Sequence, residues 1–330
     1  MARVTVFGAG VMGTAVAVHA ARLGVDVALW ANPYDIPALE TIREEGRHPQ
    51  IPAHLPESLP VFGPEDLGKA SAGCEIAVLA ASSAGMRSLA RMVKDAAASA
   101  GLAVSVAKGL ESDTNLRMSE VLEHEMPEKK VIAIGGPCLA AELAQELPTA
   151  AVWAARDEAD ARAAGELFED RHYQIAYTDD LVGTEYCSVI KNVAAIGMGL
   201  LDGLGMALQE NFKNAKAALF AKAMDEVATL VVAVGGRAET ALGLAGLGDC
   251  LVTGLGGRNR LYGELVGVGR DPQATLDDMR SRGLTVEGVD SAKDVHRLAG
   301  EYGLDLPYHA AVHRVLLEGD HPKSLLEVLC

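Results

Sequence analysis

One segment constrains the fold of this chain more than any other: "RVTVFGAGVMGTAVAVHAARLGVDVALW", residues 3–30. Arg3 to Phe7 is short and β-branched, as in a strand. Val11 to Leu23 carries apolar residues at helical spacing and stops at Gly24, and Val25 to Trp30 returns to a strand pattern. Gly8, Gly10 and Gly13 stand between the first strand and the helix in G-x-G-x-x-G spacing. Such a loop lets bare backbone approach a pyrophosphate and aims helix N-terminal amides at it. The same glycines would also serve a turn needed only for packing; the strand–turn–helix–strand setting favours dinucleotide binding.

The alternation continues. Strand patterns recur in "EIAVLAA" (75–81), "AVSVA" (103–107), "VIAIGG" (131–136), "TAAVWAA" (149–155) and "YQIAY" (173–177), with helical patterns between most of them. The first four are apolar on both faces, which predicts a parallel sheet covered on both sides. Right-handed crossovers would wind it in the doubly wound, Rossmann manner. After about residue 178 the strand patterns stop. Thr178 or Asp179 is placed to cap a helix, Asp271-Pro272 to start another, and Gly303 to end one. Two glycine-rich stretches, "GLAGLGD" (243–249) and "GLGGRN" (254–259), are expected to interrupt the helices. The reading is an α/β Rossmann-type sheet domain over residues 1–179, followed by an all-helical substrate and catalytic domain over 180–330.

A net charge of −16 argues against nucleic acid or an anionic membrane as partner, though a local cationic pocket for a small anion remains compatible with it. Neither a signal-peptide pattern nor a run approaching the roughly 18 apolar residues of a membrane span is visible. The five cysteines have no C-x-x-C spacing, so neither a disulfide framework nor a zinc site is expected, and the cytoplasm is the expected location. A homodimer is compatible with these features and not required by them.

The dinucleotide motif lacks one part. An acid at the end of the second strand would hold the adenosine ribose, but Ala31 and Asn32 stand there, and Asp35 lies further along than the fingerprint places its acid. No arginine stands at the strand tip to claim a 2′-phosphate, and Arg43 and Arg47 would have to fold back to do so. NAD and NADP both stay open, and Asn32 is compatible with either. Ser82 and Ser83 either line the nicotinamide ribose or cap a helix. Lys108 ends a buried strand at the edge where open α/β sheets bind ligands. Gly135, Gly136 and Pro137 end the next strand with free amides suited to an anion.

Lys191 sits in "EYCSVIKNVAAIGMG" (185–199), a helix apolar on nearly every side. Such a helix is normally buried, and a buried ammonium is costly unless paired or functional. Proton transfer is the job that fits. Asp249, flanked by glycines and apolar residues, either orients the lysine or a substrate hydroxyl, or caps a helix. Arg258-Asn259 opens a helical pattern and pairs a guanidinium with helix-start amides, a combination that fits a phosphate. Glu287 follows Thr285 as an acid that would also serve as a simple cap.

These pieces stand in one order. With "GAGVMGTA", "AKGLE", "GGP", "IKNVAAIGMG", "NAKAAL", "GLAGLGD", "GRN" and "VEG", the chain resembles the NAD(P)-dependent glycerol-3-phosphate dehydrogenases over essentially its whole length. The resemblance implies interconversion of sn-glycerol 3-phosphate and dihydroxyacetone phosphate with NAD or NADP. It implies that Val11, Met12, Ala140 and Glu287 contact the cofactor. Lys108 would touch cofactor and substrate, and Gly136 and Cys138 would hold substrate. Lys191 would accept the proton and Asp249 would bind substrate. Gly257, Arg258 and Asn259 would take the phosphate, with Arg258 also near the cofactor. Two positions depart from the family pattern, Cys138 for Ser or Thr and Gly257 for Ser. The rival readings are a β-hydroxyacid dehydrogenase acting on another small substrate and a non-catalytic nicotinamide-binding redox sensor.

Overall fold

The computed structural model describes residues 2–330, in two compact units, one ending at Leu181 and the other running Val182–Cys330. In the first unit, β1 (Val4–Phe7), β2 (Val27–Trp30), β3 (Val61–Phe62), β4 (Ile76–Leu79), β5 (Leu102–Ser105), β6 (Lys130–Gly135), β7 (Thr149–Ala155) and β8 (Tyr173–Thr178) form one sheet. Its order is β3-β2-β1-β4-β5-β6-β7-β8. β1 pairs in parallel with β2 on one side and β4 on the other, Val4 opposite both Val27 and Ile76. Successive strands are therefore added on one side of β1 up to β3 and on the other from β4, and a ligand crevice opens at the strand ends beside such a switch. Val4 and Val6 enter one apolar layer and Phe7 the other, so both faces of β1 are covered, as a parallel sheet requires.

One strand runs against expectation. β7 is antiparallel to β6, with Ile132 opposite Ala155 and Gly135 opposite Val152, and β8 then lies parallel to β7. The link from β6 to β7 holds a single helix, Ala140–Ala144, of 5 residues. A helix that short spans about 8 Å, whereas a parallel return must run back the length of a strand, about 20 Å here. An apolar run buried on both faces reads alike in either direction. The edge strand β3, two residues long, shows no sequence pattern at all.

The second unit is helical, with no strand among its described residues. Helix Leu181–Leu208 runs 28 residues. Contrary to the sequence expectation, it is long and apolar enough to cross a membrane, but 89% of its apolar window is buried inside the protein, as in a core helix. Gly199 and Gly203 face helix Arg258–Gly267, where added Cβ atoms would overlap the carbonyls of Arg260 and Glu264. Gly263 and Gly267 return the contact, against the carbonyls of Ile196 and Leu200. Two G-x-x-x-G faces thus bring two backbones into direct contact, closer than side chains ordinarily allow.

The stretch 243–249 interrupts the helices at Gly243, which is extended (φ −93°, ψ −157°) and ends helix Ala238–Leu242. Leu244–Gly248 forms one wide π-helical turn that leads into helix Asp249–Leu255. The second glycine-rich stretch also interrupts them as expected, at Gly256–Gly257, where the chain bends by 56°. Helix 181–208 begins after Asp180, whose amide donates to Thr178 Oγ1 at 3.1 Å. Asp271 caps helix Pro272–Ser281 by accepting from the Ala274 amide at 2.8 Å, and Gly303 ends helix Gly288–Tyr302 with φ 63°.

Candidate active site

The glycine loop follows β1. Gly8 has φ 117°, in the region that favours glycine, and a Cβ there would overlap the Ala80 carbonyl oxygen. A Cβ on Gly13 would overlap the Gly8 carbonyl, so Gly13 is what lets helix Val11–Arg22 sit tight on the strand. Gly10 differs: a Cβ there meets nothing within 4 Å. It faces open space, and no side chain caps the helix, whose first amides belong to Val11 and Met12. An uncapped helix start over an open glycine fits a pyrophosphate, so the residues present suit a dinucleotide.

Ser82 occupies the cap position of helix Ser83–Val93 but does not cap it, and neither serine hydroxyl bonds a side chain or backbone group among the described residues. Of the two sequence readings, the ribose role keeps its donors. Gly109, φ 126°, lies against Ser83 and carries the chain away from Lys108. Lys108 Nζ donates to the Gly136 carbonyl at 3.0 Å, and Gly136 has φ 91°. Met12, Lys108, Cys138 and Tyr173 line one small hollow, so three of the expected ligand residues share a surface. Burial pushes the Tyr173 hydroxyl well up beside Cys138, so it stays protonated. Ala140 is the first residue of the short helix after β6.

Sequence reasoning missed what holds this loop. Arg87 donates to both carboxylate oxygens of Glu111, at 2.8 and 2.7 Å, and to Glu125 at 2.6 Å. The Arg87 guanidinium holds the Glu111 carboxyl below its usual range. An arginine on an exposed-looking helix carries no signal that it clamps a loop from another strand.

Asp35 also departs from expectation. A turn closed by its own amide on the Asn32 carbonyl (2.9 Å) folds it back onto the glycine loop. Its Oδ2 accepts from the Ala9 amide at 2.8 Å and from the Asn32 amide at 3.0 Å. Asn32 Oδ1 accepts from the Tyr34 amide at 2.7 Å.

In the helical unit, Lys191 is 8% exposed and Asp249 1%. Lys191 Nζ donates to Asp249 Oδ1 at 2.6 Å. Asp249 is the first residue of its helix, behind Gly248 at the cap, and its carboxylate goes to the lysine instead of capping. Burial and the neighbouring Asp249 charge push the Cys250 thiol up to about 12, so it is no nucleophile. Asn192, also missed, is 3% exposed. Its Oδ1 accepts from Asn259 Nδ2 at 2.9 Å, and its own Nδ2 is buried without a protein partner. The signal available was a second polar residue directly after Lys191 in an apolar helix.

Asn259 Oδ1 in turn accepts from the Gly288 amide at 3.0 Å. Its side chain therefore ties three helices together, and a phosphate contact from Asn259 falls to its backbone amide at the helix start. Gly257 caps helix Arg258–Gly267 with φ 95° and ψ 175°, a conformation that essentially only glycine adopts. Arg258 is exposed. Its Nε donates to the Thr285 carbonyl at 2.9 Å, and its terminal nitrogens bond no group among the described residues. Glu287 sits at the cap position of helix Gly288–Tyr302 but does not cap it with its side chain. Asp202 braces the Arg258 helix from below, accepting from Arg260 at 2.5 Å and from Lys216. Among the described residues, no cluster of His, Cys, Asp or Glu is placed to hold a metal.

These features define a class: a Rossmann-type dinucleotide-binding sheet joined to a helical unit with a buried lysine–aspartate pair. Comparison with known proteins narrows it. The pattern of the NAD-dependent glycerol-3-phosphate dehydrogenase N-terminus matches residues 3–161, and that of the C-terminus matches residues 180–327. The chain is 31% identical to glycerol-3-phosphate dehydrogenase [NAD(P)+] of Clostridium perfringens, over 100% of this chain and 97% of that one. It is 33% identical to the NADP(+)-dependent glycerol-3-phosphate dehydrogenase of Archaeoglobus fulgidus, over 96% and 95%. The crystal structure of glycerol-3-phosphate dehydrogenase from Coxiella burnetii superposes with a TM-score of 0.87 at 30% identity, covering 99% of this chain and 98% of that one. The chain belongs to the NAD-dependent glycerol-3-phosphate dehydrogenase family.

Proposed function

We propose that the protein interconverts sn-glycerol 3-phosphate and dihydroxyacetone phosphate, using NAD or NADP. The observation that carries this reading is the buried Lys191–Asp249 pair at 2.6 Å, in a chain of this family. A bound nicotinamide supplies the hydride acceptor in one direction and the donor in the other. Gly8, Gly10, Val11, Met12 and Gly13 are the proposed pyrophosphate contacts and Ser82 and Ser83 the ribose contacts. Ala140, Arg258 and Glu287 are further cofactor contacts.

Lys191 Nζ takes the C2 hydroxyl proton during oxidation and returns it to the forming alkoxide during reduction. Asp249 fixes the direction of that amine, and the ammonium form stabilises negative charge on the C2 oxygen. Asn192 Nδ2, a buried donor with no protein partner, supplies a further hydrogen bond to substrate oxygen. In the sheet unit, Lys108, Gly136 and Cys138 are the substrate contacts. The terminal nitrogens of Arg258 and the amides at Gly257–Asn259 take the phosphate, supplying orientation away from the reacting carbon. The expected location is the cytoplasm.

The test is a panel of initial rates with dihydroxyacetone phosphate, dihydroxyacetone and short β-hydroxyacids. Strong turnover of the phosphate ester alone is expected. Turnover of hydroxyacids instead would point to the β-hydroxyacid dehydrogenase reading, and cofactor binding with no turnover would point to a sensor.

A further inference from the structure

We propose that this protein binds NAD(H) in preference to NADP(H), and that the Asp35 carboxylate makes the choice. The inference rests on the reading of the glycine loop as the pyrophosphate site.

Asp35 Oδ2 holds the amides of Ala9, inside the loop, and Asn32, at the tip of β2. Oδ1 has no hydrogen-bond partner among the described residues. In a β-α-β dinucleotide fold the adenosine ribose comes to the tip of the second strand, where an acid accepts from its 2′-hydroxyl. Asp35 brings such an acid to that tip from outside the usual sequence position. It cannot swing aside without releasing Ala9, so its charge belongs to the loop. A 2′-phosphate carries roughly two negative charges and would meet this carboxylate.

Nothing in the same region offsets the repulsion. Residues 27–42 contain no lysine or arginine. The first two arginines beyond them are already paired with acids, Arg43 with Glu65 at 3.8 Å and Arg47 with Glu45 at 2.7 Å. Family membership leaves the choice open, since one relative is an NADP(+)-dependent enzyme and another is named for both cofactors. The preference is therefore a property of this chain's own loop.

The test is a binding titration of the whole protein with NADH and with NADPH, without substrate, read by quenching of tryptophan emission. Dissociation constants favouring NADH by about tenfold or more are expected, the order of one like-charge contact near a protein surface. Asp35→Asn keeps an oxygen for the two amides and removes the charge. It should strengthen NADPH binding by about tenfold and leave NADH within a few-fold. Equal or tighter NADPH binding by the unaltered protein overturns the proposal, whether or not the variant folds. An unchanged NADH/NADPH ratio in a folded Asp35→Asn removes Asp35 from it. Binding of neither cofactor overturns the glycine-loop reading itself.

Discussion

The two units build their functional groups in different ways. In the sheet unit, the proposed ligand residues sit on loops and helix starts at strand ends: Gly8–Gly13 after β1, Ser82 and Ser83 after β4, Lys108 after β5 and Gly136 after β6. Each is placed by the strand before it, and much of what they offer a ligand is backbone. In the helical unit, the groups are side chains drawn together from distant helices. Lys191 and Asp249 lie 58 positions apart, and Asn192 and Asn259 67 apart. The first design tolerates changes of side chain wherever the backbone path survives. The second depends on the helices staying in register.

The sharpest break falls on the lysine pair. Lys191→Ala should cut turnover by about 10²–10⁴-fold, the usual worth of a positioned acid–base group, with cofactor binding retained. Near-normal turnover would remove Lys191 from the mechanism. Asp249→Ala should also lower stability by about 3–5 kcal/mol, because it removes the carboxylate that a buried ammonium bonds at 2.6 Å. The double variant Lys191→Met/Asp249→Leu should recover most of that stability in a denaturant melt while staying inactive.

Next comes helix register. Gly199→Ala or Gly203→Ala pushes a Cβ into a backbone carbonyl. Each should cost about 1–3 kcal/mol, as overpacking does. Turnover should fall as well, since Asn259 rides on the helix that is displaced. A comparable loss from Gly10→Ala in the sheet unit's stability would contradict the contrast, because that Cβ meets nothing within 4 Å; there the loss should appear in cofactor affinity alone.

A smaller effect is expected at Arg87. Its guanidinium holds the Glu111 carboxyl below its usual range. A carboxyl depressed in the folded state adds stability above its unfolded pKa and loses it as pH falls through the folded value. The stability gap between the unaltered protein and Arg87→Met should therefore be full at neutral pH and close on acidification below about pH 4.3. A gap independent of pH would show that Arg87 acts only by packing. Activity should drop mainly through weaker substrate binding, because the loop that carries Lys108 loses its anchor at Glu111.

The smallest effect on activity is expected of Gly257→Ser, the residue that the family resemblance implies there. With φ 95° it should cost about 1–3 kcal/mol of local strain, seen as a modest rise in KM for phosphate esters. A gain in affinity would mean that the turn relaxes at no cost.

Residues 3–30 by themselves determine the glycine loop, since β-branched strand, glycine spacing and helical period are local properties that adjacent residues enforce on one another. The apolar surround of Lys191 likewise declares a buried amine. The tertiary structure alone decided its partner, because a carboxylate flanked by glycines reads equally as a cap. It also decided the direction of β7, as burial on both faces is indifferent to strand polarity. The clamp of Arg87 on Glu111 and the return of Asp35 to Ala9 are contacts across 24 and 26 positions. No local pattern encodes them, because a charged side chain's partner is set by where the fold carries it.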